Sequence, residues 1–188
     1  MRKLVVYAME HPDARKLSRS LLEQAALRHW QLPPPLRLEL GPHGKPCLPD
    51  TPQYHFNISH SGTLIVCGLD DAPLGIDIQL ARPRRTAFLD QLCTPEERAW
   101  LRGRQDSPQS FALLWTLKES RCKWSGQGLQ RPISNIVVPL PKADERTLEL
   151  DGLFFSLRSG PGWQFCLCSE TAWEGECSWL HTISPTEE

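Results

Sequence analysis

Asp77, Glu119 and Lys123 are the side chains in this 188-residue chain whose types and spacing suggest chemistry. Asp77 stands between Ile76 and Ile78 in Gly75-Ile76-Asp77-Ile78-Gln79. A carboxylate there is poor strand material and needs a partner or a metal ion. Glu119 and Lys123, in Trp115-Thr116-Leu117-Lys118-Glu119-Ser120 and its continuation, are four residues apart, so on a helix they share a face. Alone, on an isolated helix, that pair reads first as an ordinary surface salt bridge. Asn57-Ile58-Ser59-His60-Ser61-Gly62 reads alone as a hairpin turn whose hydroxyls satisfy nearby backbone. Together with the loop Gly44-Lys45-Pro46, however, a strand aspartate, a helix glutamate and lysine, a loop histidine and a loop lysine make a site for magnesium and phosphates. Hard magnesium takes carboxylate oxygen, and the cations offset phosphate charge.

The elements that must position these groups follow from periodicity. Leu4 to Ala8 reads as a strand, and Ala14 to Trp30 as a helix burying Leu17, Leu21, Leu22, Ala25 and Ala26, ended by Pro33-Pro34-Pro35. Leu36 to Leu40 alternates like a strand, and Gly41 to Pro46 is an irregular loop. Strands at Tyr54 to Ser59 and Thr63 to Leu69 flank a turn at His60-Ser61-Gly62, and Leu74 to Ile78 is again strand-like after a turn at Asp70 to Pro73. Thr94-Pro95-Glu96-Glu97 is a well-formed helix start for a helix to about Leu101. A second helix spans Ser110 to Trp124, with Phe111, Leu114, Trp115 and Lys118 on one face and Gly126 near its end. Ile133 to Leu140, Thr147 to Leu157 and Trp163 to Cys168 read as strands. The order lacks regular βαβ spacing, which favours an α+β fold over a parallel sheet.

Composition bounds the function. With 40% hydrophobic and 23% charged residues and a formal charge of -1, the chain is an ordinary globular protein for which bulk nucleic-acid binding is disfavoured. Its 7 cysteines are an odd number without a CxxC pair, which argues for free thiols over disulfides or zinc. The apolar run before Glu10 is too short for a signal-peptide core or a membrane span, so the expected location is cytoplasmic, with no membrane partner. From Arg82 to Lys123 nine basic residues face five acidic, whereas Lys142 to Glu188 has three basic against nine acidic. An acidic partner should therefore meet the middle of the chain and avoid the tail.

The ordered motifs resemble those of the Sfp-type 4′-phosphopantetheinyl transferases over nearly the whole chain. The family pattern has a GKP loop, an FNxSHS segment, a G-I/V-D-I-E strand and a W-x-x-K-E-S/A helix with a lysine four residues past the glutamate; Phe56 to Gly62 and Trp115 to Lys123 match it well. From Gly75 onward the chain also resembles the smaller holo-acyl-carrier-protein synthases. The resemblance implies two similar α+β halves, 1–72 on the coenzyme A nucleotide side and 73–188 carrying the metal and catalytic helix, related by a pseudo-twofold axis in a monomer. It implies a cytoplasmic enzyme that moves the phosphopantetheine arm of coenzyme A onto a serine of an apo acyl or peptidyl carrier protein, with magnesium or manganese, releasing 3′,5′-ADP. Lys45, Pro46, Ser59 and His60 would contact the nucleotide and phosphates. Asp77 and Glu119 would hold the metal, and Lys123 would stabilise the pyrophosphate; Arg15, opening the first helix, is the counterpart for the 3′-phosphate. Arg82, Arg84 and Arg85 form a basic cluster suited to the acidic helices of a carrier.

The chain departs from the pattern at Gln79, where the family has a second acid, and in a shorter segment before the first helix. Gln79 is then a metal ligand through its amide oxygen or through water, or marks a relative that binds carriers without turnover. A hydrolase using Ser59 or Ser61 with His60 is disfavoured, since neighbours on a turn seldom reach each other as nucleophile and base and no GxSxG elbow exists.

Overall fold

The computed structural model describes residues 4–128, 132–142 and 145–180. Part of the acidic tail, residues 181–188, lies outside them. The fold is α+β, as expected. Strand β1 (Val5–Glu10) leads to helix α1 (Ser18–Trp30), a short β2 and β3 pair (Glu39–Leu40 and Pro46–Cys47), and the hairpin β4 (His55–Ser61) and β5 (Leu64–Asp70). Strand β6 (Leu74–Leu80) is followed by helices α2 (Thr86–Leu92), α3 (Pro95–Arg102) and α4 (Pro108–Ser125). Strands β7 (Thr147–Leu150), β8 (Leu153–Gly160), β9 (Trp163–Ser169) and β10 (Ser178–Leu180) complete the chain.

Two four-stranded sheets result, ordered β10-β1-β5-β4 and β6-β9-β8-β7. In each, a strand, a long helix and an antiparallel hairpin follow one another, and the hairpin's second strand pairs with the first strand: β1 with β5, and β6 with β9. Ser178–Leu180, counted above with the second half, pair in parallel with β1 in the first sheet. Helix α1 buries Leu21, Leu22, Ala25 and Ala26 against the first sheet, while α4 buries Phe111, Leu114 and Leu117 against the second. Between the sheets, Val6, Ala8 and Val66 meet Ile76, Ile78 and Leu167 in a shared apolar layer.

Several elements differ from the sequence reading for reasons visible in their hydrogen bonds. Leu36 stays out of any ladder because α1 takes both its main-chain groups: its N–H donates to Glu23 Oε1 (3.2 Å) and its carbonyl accepts from Arg19 Nη2 (2.6 Å). The expected strand from Ile133 to Leu140 is a 3-10 turn (Ile133–Asn135) and irregular chain. Lys118 Nζ donates to the carbonyls of Ile133 and Ile136, and Arg121 donates to that of Val137, so helix side chains replace a strand partner. Thr147 to Leu157 is not one strand: Asp151 (φ 55°) and Gly152 (φ 75°) turn it into the β7–β8 hairpin, the Asp-Gly signature of a tight turn. Helix α1 begins at Ser18, preceded by turns in which Lys16 and Leu17 N–H donate to Asp13 O. Strand β4 runs on through His60 and Ser61, so the turn falls at Gly62 (φ 59°) and Thr63. Helix α2 and strand β10 were not expected.

Candidate active site between the two sheets

Strands β4 and β6 lie at the facing edges of their sheets and are joined by side chains. Asn57 Oδ1 accepts from Ile76 N–H (2.9 Å), Ser59 Oγ from Ile78 N–H (3.4 Å) and Ser61 Oγ from Leu80 N–H (3.0 Å). Three alternate residues of one edge strand thus satisfy three alternate donors of the other. The Asn-x-Ser-x-Ser spacing is therefore partly a structural clamp, and Asn57 is a site residue the sequence reading passed over.

The clamp brings Ser59 onto Asp77. Asp77 is 5% exposed. Its Oδ1 accepts from Ser59 Oγ at 2.6 Å and from Lys123 Nζ at 2.7 Å, and Lys123 also reaches Ser59 Oγ at 3.0 Å. Its Oδ2 is buried without a hydrogen-bond partner among the described residues. Burial raises the Asp77 pKa above the usual carboxylate range, against the lowering effects of Lys123, Ser59 and the Ile78 N–H. Glu119, one turn before Lys123 on α4, is also raised, first by burial and then by the charge of Asp77.

Two further features set α4. A Cβ on Gly75 would lie 2.0 Å from Ser120 O and 2.2 Å from Trp124 N, so only glycine lets β6 approach the helix this closely. On another face, Lys118 (2% exposed) pairs with Glu97 Oε1 at 2.8 Å. Glu97 Oε2 meanwhile accepts from Thr94 N–H in the capping box of α3, so the Thr94-x-x-Glu97 signature also fixes the rotation of α4.

The other anticipated residues are distributed around this centre. Lys45, Pro46, Asn57, Glu119 and Lys123 line one cleft of about 250 Å³. Lys45, expected at the nucleotide and phosphates, has its Nζ donating to Lys123 O (2.6 Å), Leu74 O (2.9 Å) and Trp124 O (3.5 Å), and burial lowers its pKa to about 8. His60 is exposed and, one residue on from Ser59 along β4, projects to the opposite face. Arg15 is exposed before α1. Gln79 directs Nε2 to Leu80 O at 3.3 Å. Arg82, Arg84 and Arg85 are exposed, with Arg84 over the rings of Phe88 (6.0 Å) and Phe111 (5.9 Å).

Among the described residues no group of three or more His, Cys, Asp or Glu could hold a metal ion. The protein offers two carboxylates, one with an orphaned buried oxygen, and this donor set fits a hard divalent cation that keeps several waters. Among the described residues no helix is long and apolar enough to cross a membrane. All seven cysteines are unpaired thiols.

The family model of the 4′-phosphopantetheinyl transferase superfamily matches residues 73–176. The Sfp 4′-phosphopantetheinyl transferase of Bacillus subtilis (strain 168) is 30% identical over 171 residues, covering 87% of this chain and 76% of that protein. The chain belongs to the 4′-phosphopantetheinyl transferase superfamily. It is a transferase of this Sfp type. A second Bacillus subtilis phosphopantetheinyl transferase is 33% identical over 147 residues, covering 77% of this chain and 66% of that protein. The transferase psf-1 of Bacillus pumilus is 34% identical over 146 residues, 73% of this chain and 61% of the relative. The superfamily match opens at Pro73, one residue before β6, and includes Asp77, Glu119 and Lys123.

Proposed function

We propose that this transferase moves the 4′-phosphopantetheine group from coenzyme A to a serine of an apo acyl or peptidyl carrier protein, with magnesium or manganese, releasing 3′,5′-ADP. The observation that carries the reading is the cleft lined by Glu119 and Lys123, with Asp77 buried against Lys123 Nζ at 2.7 Å, in a chain of this superfamily. Asp77 through its Oδ2, together with Glu119, would hold the metal; Gln79, whose Nε2 donates to Leu80 O, would contribute its amide oxygen or act through water. When bound, the metal supplies charge neutralisation at the pyrophosphate.

The chain's own residues supply the rest. The carrier's serine oxygen forms a bond to the pantetheine-bearing phosphorus as the bridging P–O bond breaks, and 3′,5′-ADP departs with the electron pair. The serine proton goes to Glu119, whose pKa burial raises, or to a water at the site. Lys123 offsets charge that grows on the leaving phosphate. Pro46 and the loop that carries Lys45, with Ser59, His60 and Arg15, form the nucleotide side. Arg82, Arg84 and Arg85 receive the acidic helix of a fatty-acid, polyketide or peptide-synthetase carrier.

The repeated strand, helix and hairpin order supports two pseudo-symmetric halves, 1–72 and 73–188, with the site between them, so that a cytoplasmic monomer is sufficient. The test is incubation with coenzyme A, magnesium and a panel of apo-carriers, read as mass gain. Binding of carriers without mass gain under any condition favours a degenerate, binding-only relative, the reading that Gln79 raises.

A further inference from the structure

We propose that Lys45 is a positioning residue: its ammonium braces the end of α4 against the start of β6, and it is not a ligand for coenzyme A phosphate. The inference rests on the transferase reading for its kinetic consequence, but its structural part stands separately. An ammonium has three protons to donate and nothing to accept. Those of Lys45 point to Lys123 O (2.6 Å), Leu74 O (2.9 Å) and, more weakly, Trp124 O (3.5 Å). The two short bonds commit two of its protons and the third lies toward Trp124 O, so a phosphate would have to compete with main-chain acceptors already in place.

The place of the brace explains its use. The last four carbonyls of a helix have no partner within it. In α4, Cys122 O accepts from Gly126 N–H and from Ser125 Oγ, both at 3.0 Å, which leaves Lys123 and Trp124 to Lys45. A cation here also meets the negative end of the helix dipole. Leu74 is the first residue of β6 and precedes Gly75, the point where strand and helix main chains come closest. One side chain from the β2–β3 loop therefore ties the strand of Asp77 to the helix turn of Lys123, and it holds Lys123 by its own carbonyl. The loop is itself closed by Gly41 N–H to Lys45 O (2.9 Å) and Gly44 N–H to Gly41 O (2.9 Å), so the brace is anchored. A Cβ on Gly126 would sit 3.5 Å from Lys45 Cδ, so the aliphatic stem passes close over the helix cap. Loss of the brace lets Lys123 shift relative to Asp77, a displacement that costs rate more than coenzyme A affinity.

The experiment compares wild type with Lys45→Met and Lys45→Arg by three measurements. These are amide hydrogen exchange, calorimetric binding of coenzyme A and of dephospho-coenzyme A, which lacks the 3′-phosphate, and steady-state rates. Lys45→Met is expected to speed exchange in β6 and the last turn of α4. It should lower kcat by about tenfold to a hundredfold. Both dissociation constants should stay within about twofold of wild type. Lys45→Arg, which keeps charge and donors, should recover part of the rate and protection. If Lys45→Met does not fold, exchange and binding on Lys45→Arg decide. Weaker binding with lost discrimination between the two coenzymes, at unchanged exchange, would overturn the proposal and make Lys45 a phosphate ligand. Faster exchange in Lys45→Met, alongside a wild type that modifies no carrier, would retain the brace and reject the transferase reading.

Discussion

Lys123 Nζ lies 2.7 Å from Asp77 Oδ1, so an ammonium from α4 already partners the carboxylate expected to hold the metal. The arrangement sets two cations in competition for one buried charge. Lys123→Met should therefore tighten manganese binding by about tenfold or more, because a positive charge in contact with a ligand is removed. The same variant should lose about 10²–10³ in kcat, the scale of one electrostatic group acting on developing charge. Titration with manganese followed by paramagnetic resonance checks the first part; unchanged or weaker binding would mean that Lys123 does not oppose the metal.

Burial raises the pKa of Asp77 and of Glu119, so the folded chain binds their protons more tightly than the unfolded chain. Their contribution to stability is complete below the ordinary carboxylate range and is lost as pH rises through the raised values. At neutral pH and without divalent ions, Glu119→Gln should melt at a higher temperature than wild type and show less fall between mildly acidic and neutral pH. The acid limb of the activity profile should lie above the ordinary carboxylate range, since both groups act ionised. Melting curves across pH on both proteins test the sign, and a lower melting temperature for Glu119→Gln at neutral pH would contradict it.

Gly75→Ala should be among the most damaging small substitutions in the chain. Its Cβ would meet main-chain atoms of α4 at 2.0 and 2.2 Å, and main chain cannot swing aside as a side-chain tip can. A loss of at least about 1–3 kcal/mol is expected, with activity falling alongside as β6 is pushed off the helix. Chemical denaturation gives the cost; a change within about 0.5 kcal/mol would show that the helix yields freely.

How far these features could be read in advance depends on where their information resides. Asp77, Glu119 and Lys123 were legible because each violates or decorates a local pattern: a charge between isoleucines, or a pair at one-turn spacing. The α+β class and the long helices followed from periodicity. The segment from Ile133 to Leu140 was not legible, because its carbonyls are claimed by Lys118 and Arg121 from a helix whose approach no local pattern records. Helix α2 has no side-chain cap and buries only Leu89, so it carried little periodic signal. The β7–β8 turn was legible in Asp151-Gly152, and a rule for hairpins would have found it. The link of Asn57 and Ser61 to β6 depends on two sheet edges meeting, which residue types alone do not disclose.

Arg82, Arg84 and Arg85 lie just after β6 and are exposed, with Arg84 over the Phe88 ring. Reversal of all three to glutamate should raise the carrier KM about tenfold or more and flatten its dependence on salt, with coenzyme A binding unchanged. Steady-state kinetics at several ionic strengths provide the check, and unaltered carrier kinetics would move the docking surface elsewhere.

The most direct measurement is intact-protein mass spectrometry of apo-carriers incubated with coenzyme A, magnesium and either wild type, Asp77→Ala or Glu119→Ala. Wild type should add one phosphopantetheine to the serine of at least one carrier, with 3′,5′-ADP released in equal amount and the reaction abolished by EDTA. Both variants should remain folded and lose activity by about 10²-fold or more. Near-native transfer by either variant, or transfer indifferent to EDTA, would contradict the assignment of these two carboxylates to the metal.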